Sequence, residues 1–314
     1  MQSPEDIEDL KNHKEKFLFN LTQNFRKSLI IFDIRSKEKF EIKHFKESLH
    51  IPIQHPFTSN FSLSDLRLLY PQNNALQKLR RYCIVIGSDS ENSTIAKNLE
   101  ILLKSHKCRE LYLFDEEYEE FLNRYPFLTE GSGVPLYPMI SCGYPNEIIP
   151  KFLYLGSHFH AENYDVIKIL NITHIINATR NVKNAFKGQG VKYCRVFVED
   201  NAKEKISYHF HKAFKFIEEA KQINEAGGQT AVLVHCAQGV SRSATIVAMF
   251  LMKEYDISFE QSAEYLKKQR FVVEPNQGFV KQLKQFEARK GLFSRSNSMD
   301  LGNSYSPYER KSLG

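Results

Sequence analysis

Residues 231–243 read Ala-Val-Leu-Val-His-Cys-Ala-Gln-Gly-Val-Ser-Arg-Ser. An apolar run ends at Cys236, and a short polar loop with one glycine follows. From Ser243 the pattern Ala244-Thr245-Ile246-Val247-Ala248-Met249-Phe250-Leu251-Met252 reads as a helix. Strand, loop and helix N-terminus in that order make an anion cradle. The first N–H groups of a helix lack intrahelical acceptors and carry the positive end of its dipole. Successive N–H groups in a tight loop converge on one oxyanion, and Gly239 permits backbone angles that other residues resist. Arg242 adds a planar fork of donors that matches two phosphate oxygens. The same positive field lowers the pKa of Cys236 and favours the thiolate. A nucleophile and anion donors at one point suit in-line attack on a phosphomonoester, through a cysteinyl-phosphate intermediate.

The neighbours have roles in this reading. Ala237, Gln238, Gly239, Val240, Ser241 and Arg242 line the phosphate site. His235 orders the loop through a ring hydrogen bond, Ser243 donates to the sulfur as it leaves, and Ser241 shapes the loop. The plainer alternative is an inert cysteine buried at a strand end. Gly239, the Ser-Arg-Ser run and the flanking patterns speak together against it.

His235-Cys236-Ala237-Gln238-Gly239-Val240-Ser241-Arg242-Ser243 resembles the catalytic loop of the cysteine-dependent protein phosphatases. It is most similar to the dual-specificity branch, and within that to the MAP kinase phosphatases. Ile149-Pro150-Lys151-Phe152-Leu153-Tyr154-Leu155-Gly156-Ser157 resembles the start of that domain. Ile172-Thr173-His174-Ile175-Ile176-Asn177-Ala178-Thr179 resembles its second strand and the loop after it. Val198-Glu199-Asp200-Asn201 resembles its general-acid loop. Pro275-Asn276-Gln277-Gly278-Phe279, with Gln282-Leu283, resembles the start of its last helix.

The resemblance implies a general acid at Asp200, which protonates the leaving oxygen and then serves as base for the hydrolytic water. Taken alone, such an aspartate is more commonly a turn or capping residue, and Glu199 is the alternative acid. The resemblance also implies a two-step cycle without metal or cofactor, in which Arg242 and the backbone amides carry the charge. No His/Cys cluster has zinc-ligand spacing. His158-Phe159-His160 and His209-Phe210-His211 read as surface or interface histidines. Nothing before Asp200 resembles the loop that deepens the pocket of tyrosine-specific relatives. A shallow pocket, with Thr179-Arg180 at its rim, would admit phosphoserine and phosphothreonine as well as phosphotyrosine. Asn276 either supports the site from behind or caps a helix.

A helical pattern after Asp200 carries Ile206, Phe210, Phe214, Ile217 and Ala220 on one face, and Gly227-Gly228 ends it. The chain has 314 residues, enough for two domains, and is 42% hydrophobic, within globular norms. A formal charge of +6 is mild for this length, and no block of five like charges occurs. It suits phosphorylated protein partners and gives no case for nucleic-acid binding. Five cysteines without regular spacing fit a reducing compartment. No stretch approaches 18 apolar residues, and no secretory or lipidation pattern is visible. The expected location is cytoplasmic, with the nucleus also open, and no membrane partner is expected.

Residues 129–147 form a linker rich in Gly and Pro. They divide a first domain at 16–128 from a catalytic domain at 148–291, and a Ser-rich tail at 292–314 reads as disordered. In the first domain Leu29–Phe32, Tyr82–Ile86 and Leu111–Phe114 read as strands, and Ser93–Leu103 as a helix. Strand–helix alternation gives a parallel α/β sheet. The catalytic domain should be α/β as well, a mixed central sheet flanked by helices.

Ile31-Phe32-Asp33-Ile34-Arg35-Ser36, Phe40, and His44-Phe45-Lys46-Glu47-Ser48-Leu49-His50-Ile51-Pro52 resemble a rhodanese-like domain. Such a domain ahead of a dual-specificity phosphatase is the arrangement of the MAP kinase phosphatases. The catalytic cysteine of that fold is replaced here by Gly87-Ser88-Asp89-Ser90-Glu91-Asn92, so no sulfurtransferase activity is expected. The resemblance implies a docking or regulatory module, of the kind that docks the kinase in the MAP kinase phosphatases, although the docking cluster is not matched residue by residue. The matching stretch Phe61–Leu69 holds one arginine, Arg67, near an aspartate. Lys78-Leu79-Arg80-Arg81 reads better as the charged start of a strand.

Two other functions remain open at this point. One is a phospho-dependent binding scaffold with little turnover. The other is a phosphatase of RNA 5′ ends or phosphoinositides, although Ala237, Gln238 and Val240 lack the extra charge such substrates call for.

Overall fold

The structure, a computed structural model, describes residues 12–51, 62–73, 82–89, 92–105, 108 and 110–300. Helix α1 (Lys14–Asn24) precedes a four-stranded parallel sheet. Its strands are β1 (Leu29–Asp33), β2 (Leu49–His50), β3 (Cys83–Gly87) and β4 (Glu110–Phe114), in the order β2-β1-β3-β4. Helices α2 (Leu63–Leu69), α3 (Ser93–Ser105) and α4 (Glu116–Arg124) follow β2, β3 and β4. The strands read as continuous apolar runs because both faces are covered. Ile30, Phe32, Ile84 and Ile86 pack with Ala96, Leu99 and Leu103 of α3. Ile31, Cys83 and Val85 pack on the other side with Leu18 and Phe19 of α1 and Phe121 of α4.

The second sheet holds β5 (Asn146–Ile149), β6 (Leu153–Ser157), β7 (Ile172–Asn177), β8 (Lys192–Arg195) and β9 (Ala231–Cys236). Its order is β8-β7-β9-β6-β5, with β5 antiparallel to β6 and every other pairing parallel. This is the mixed sheet that the sequence predicts. Helix α5 (Phe210–Glu225) buries the predicted face, Phe210, Phe214, Ile217 and Ala220, while Ile206 is buried in a 3-10 turn just before it. Helix α6 (Arg242–Glu254) is apolar from Ile246 to Met252, and every residue from Ser243 to Met252 is buried. It lies between the sheet and helices α7 (Phe259–Gln269) and α8 (Gln277–Asp300).

Alternation along β9 divides its side chains between two cores. Val232, Val234 and Cys236 join α6. Ala231 and Leu233 join a cluster that includes Leu18 and Phe19 of α1 and Tyr118 and Phe121 of α4. The front half therefore packs on one face of the second sheet. After Thr129–Glu130, which pairs with His44–Phe45, the chain crosses over with Ile140 and Tyr144 buried in the same cluster. Arg26 donates to the carbonyls of Ile140 and Ser141.

Helix α8 continues to Asp300, so residues 292–300 extend a helix where the sequence reading expects a disordered tail. No proline interrupts that stretch. Residues 301–314, Phe61 and Lys78-Leu79-Arg80-Arg81 lie outside the described residues. At the position where a rhodanese cysteine would stand, Asp89 is buried, paired with Lys39 at 2.8 Å and bonded to Asn92.

Candidate active site

β9 delivers Cys236 to the carboxyl edge of the second sheet, where open α/β sheets bind their ligands. The thiol is 1% exposed. Its sulfur accepts from the Gly239 N–H at 3.2 Å and from the Ser243 hydroxyl at 3.2 Å. Burial pushes the thiol pKa up, but the hydrogen bonds of Ser243, Val240 and Gly239 outweigh burial and hold it below the ordinary value. His235 is buried, which pushes its pKa down to about 4, so the ring is neutral near pH 7. Its Nδ1 lies 3.3 Å from the Cys236 carbonyl oxygen.

The loop is gripped from outside by its carbonyls. Nδ1 of His158 and the His158 N–H both approach the Ala237 oxygen, at 2.7 and 3.3 Å. Arg270 donates from Nη2 to the Gln238 oxygen at 2.9 Å and from Nε to the Gly239 oxygen at 2.8 Å. A trans peptide is planar, with its C=O and N–H pointing opposite ways. Holding the oxygens of residues 237, 238 and 239 outward therefore turns the N–H groups of 238, 239 and 240 the opposite way, and those of Gly239 and Val240 bond to the sulfur. Gly239 has φ +73°, and a Cβ there would sit 2.5 Å from the Gly156 carbonyl oxygen. Both constraints require glycine.

Arg242 is largely buried and donates to the Val198 carbonyl at 3.4 Å. Its Nε has no hydrogen-bond partner, and Asp200 Oδ2 lies 3.7 Å away. Asp200 is bound to the loop rather than free above it. Its Oδ1 accepts from the Ser241 hydroxyl at 2.7 Å and from Asn276 Nδ2 at 2.9 Å. Glu199 is exposed, with Arg180 Nε 3.7 Å away. The two readings of Asn276 coexist: Oδ1 caps α8 by accepting from the Phe279 N–H at 3.0 Å, while Nδ2 holds Asp200. Gly278 allows the close approach of α8 to the acid loop, since a Cβ there would fall 2.0 Å from the Ala202 oxygen.

Several residues differ from the sequence reading. His160 is buried rather than at the surface, with Nδ1 accepting from the Ser157 N–H at 3.0 Å. His158, read as a surface or interface residue, touches the catalytic loop. Thr179 turns inward and donates to Asn177 Oδ1, and Arg180 pairs with Glu204. Arg270 has no distinguishing signal in the sequence. It follows Lys267-Lys268-Gln269 and reads as one more charge on a solvated helix end. Among the described residues no carboxylate pairs with it. A cleft of about 540 Å³ opens beside the loop between Arg26, His158, Gln238 and Arg270, and none of the described residues that line it is acidic.

Residues 153–289 match the family model of the dual specificity phosphatase catalytic domain. A probable rhodanese domain-containing dual specificity protein phosphatase of Dictyostelium discoideum is 29% identical, over 90% of this chain and 70% of its own length. Human dual specificity protein phosphatase 1 is 32% identical, over 71% of this chain and 65% of its own. The chain thus spans about two thirds of the length of these curated relatives. The crystal structure of human DUSP28 aligns with 46% of this chain and 93% of its own, at 29% identity and a TM-score of 0.41.

Proposed function

Because the chain belongs to the dual specificity protein phosphatases, with a rhodanese-like domain ahead of a tyrosine/serine/threonine phosphatase domain, we propose that it hydrolyses phosphotyrosine and phosphoserine or phosphothreonine on proteins. One observation carries the reading. The Cys236 sulfur sits among inward N–H groups at the start of α6, beside a guanidinium with an unused donor and a carboxylate tied to the same loop.

In the proposed cycle the substrate phosphate takes the loop N–H groups and the Arg242 fork. The Cys236 thiolate attacks phosphorus, the P–O bond to the side chain breaks, and Asp200 gives its proton to the departing oxygen. Water then attacks the cysteinyl-phosphate while the Asp200 carboxylate takes its proton. The S–P bond breaks, and the Ser243 hydroxyl donates to the departing thiolate. Neutral Ala237, Gln238 and Val240 favour protein phosphoesters over polyanionic lipids or RNA ends.

MAP kinases, docked through the front domain, are the substrates we infer from the resemblance. An Asp200→Ala variant of the full chain, incubated with lysate, should retain phosphorylated protein, with activated MAP kinase among it. Hydrolysis of p-nitrophenyl phosphate in a chelator, abolished in Cys236→Ser, tests the chemistry itself. Equal activity of the two proteins would sink the reading. Faster hydrolysis of phosphoinositides than of phosphopeptides would move it to the lipid class.

A further inference from the structure

Arg270 is itself held, and what holds it comes from the other end of the chain. Its Nη1 donates to Asn146 Oδ1 at 2.7 Å. The Asn146 amide nitrogen faces three oxygens: Gln269 O at 2.9 Å, and Oδ1 of Asn20 and of Asn24, each at 3.3 Å. Asn20 and Asn24 belong to α1. Asn20 also exchanges hydrogen bonds with the backbone of Glu147, at 2.8 Å each way, and donates to Gln269 Oε1 at 2.8 Å. Asn24 donates to the Gln269 carbonyl at 3.0 Å. With three acceptors on one side and a guanidinium on the other, the Asn146 amide has one fully satisfied orientation.

We propose that Asn20, Asn24 and Asn146 are positioning residues for the catalytic loop. Through Arg270 they hold the 238–239 and 239–240 peptide groups so that the N–H ends face Cys236. The inference rests on the phosphatase reading and adds a component to it: helix α1 of the front half is a working part of the active site. The residues themselves touch neither sulfur nor substrate. Their effect is on the direction of the dipoles that stabilise the thiolate, so loosening them raises the thiol pKa.

The test uses the full chain with Asn146→Val, Asn24→Ala and Asn146→Asp. Alkylation of Cys236 by iodoacetate is followed against pH by mass spectrometry of its peptide. kcat and KM for p-nitrophenyl phosphate are followed over the same range. Asn146→Val should slow alkylation at pH 6 by about tenfold and shift both midpoints upward. Asn24→Ala, a half-buried site that a fold tolerates, should move them the same way by roughly threefold at pH 6. Asn146→Asp keeps the acceptor for Arg270 but sets a carboxylate oxygen against those of Gln269, Asn20 and Asn24, so the brace is cut from α1 and the midpoint should rise here too. A purely structural role would lower the melting temperature and leave the midpoints in place, and that result overturns the proposal. If Asn146→Val does not fold, Asn24→Ala decides. A wild-type protein that alkylates normally yet hydrolyses no ester sinks the phosphatase reading instead, and the alkylation profiles still judge the brace.

Discussion

The Ser241 hydroxyl donates to Asp200 Oδ1 at 2.7 Å while accepting from the Asn276 N–H at 3.1 Å. One side chain thus joins the catalytic loop, the acid loop and the start of α8. Ser241→Ala removes the donor without adding bulk. We expect kcat to fall about fivefold with KM little changed, since a single charge-assisted bond is lost. Ser241→Ala and Asn276→Ala share a carboxylate, so their effects should be non-additive in a double-mutant cycle.

Asp200→Asn keeps the size of the side chain and removes the proton it would give. kcat for esters with poor leaving groups should drop by about a hundredfold or more. Esters whose leaving oxygen needs no proton should be affected far less. Stopped-flow comparison of a phosphotyrosine peptide with an activated aryl phosphate measures the difference; equal losses would remove Asp200 as the acid.

Ser243 donates to the sulfur at 3.2 Å and is foremost among the groups that lower the thiol pKa. In Ser243→Ala the pKa of Cys236 should rise. Because the thiolate is the reactive form, the acid limb of the kcat/KM profile then moves to higher pH. Breakdown of the cysteinyl-phosphate should slow as well, so that a burst of product precedes a slower steady rate. An unshifted limb would assign the low pKa to the backbone alone.

Gly239→Ala meets the Gly156 carbonyl at 2.5 Å in a left-handed backbone. Backbone oxygen cannot move aside as a side chain can. The loop should open, with kcat/KM reduced by about a hundredfold and stability by about 2 kcal/mol. Urea unfolding and phosphatase assays on the same preparation check both numbers.

Burial depresses the pKa of His235 to about 4 and that of His160 to about 3. Below pH 6.5 the unfolded chain binds protons that the folded chain refuses. The stability present above pH 6.5 is therefore lost as pH falls through 4. Between pH 7 and 4.5 the loss should be roughly 2–3 kcal/mol for each ring. His160→Gln retains an acceptor for the Ser157 N–H and should remove one such share. Parallel urea curves at the two pH values measure it, and an unchanged slope in the variant would refute the assignment.

The sequence was legible where chemistry and local pattern coincide. Strand, loop and helix around Cys236 follow from an apolar run, a glycine and a second apolar run, and the predicted face of α5 is the buried one. What could not be read were contacts between residues far apart in the chain. Arg270 carries no local signal that separates it from the lysines before it. Asn20, Asn24 and Asn146 are ordinary polar residues until three chain segments meet. His160 reads as surface because spacing says nothing about the backbone group that its ring satisfies. The end of α8 misleads for the opposite reason: serine-rich composition suggests a tail, while the backbone continues as helix.

Asn20 and Gln269 are 249 positions apart. During synthesis at typical rates α1 leaves the ribosome roughly 10–50 s before its partner exists. Its amides and its apolar face must wait that long, close to the strands of the first sheet, before the second half arrives to cover them. The catalytic loop, made near the end, is completed against a helix made near the beginning. A chain extended past Ser243 but short of Arg270 would accordingly hold its thiol and its loop with the brace still missing.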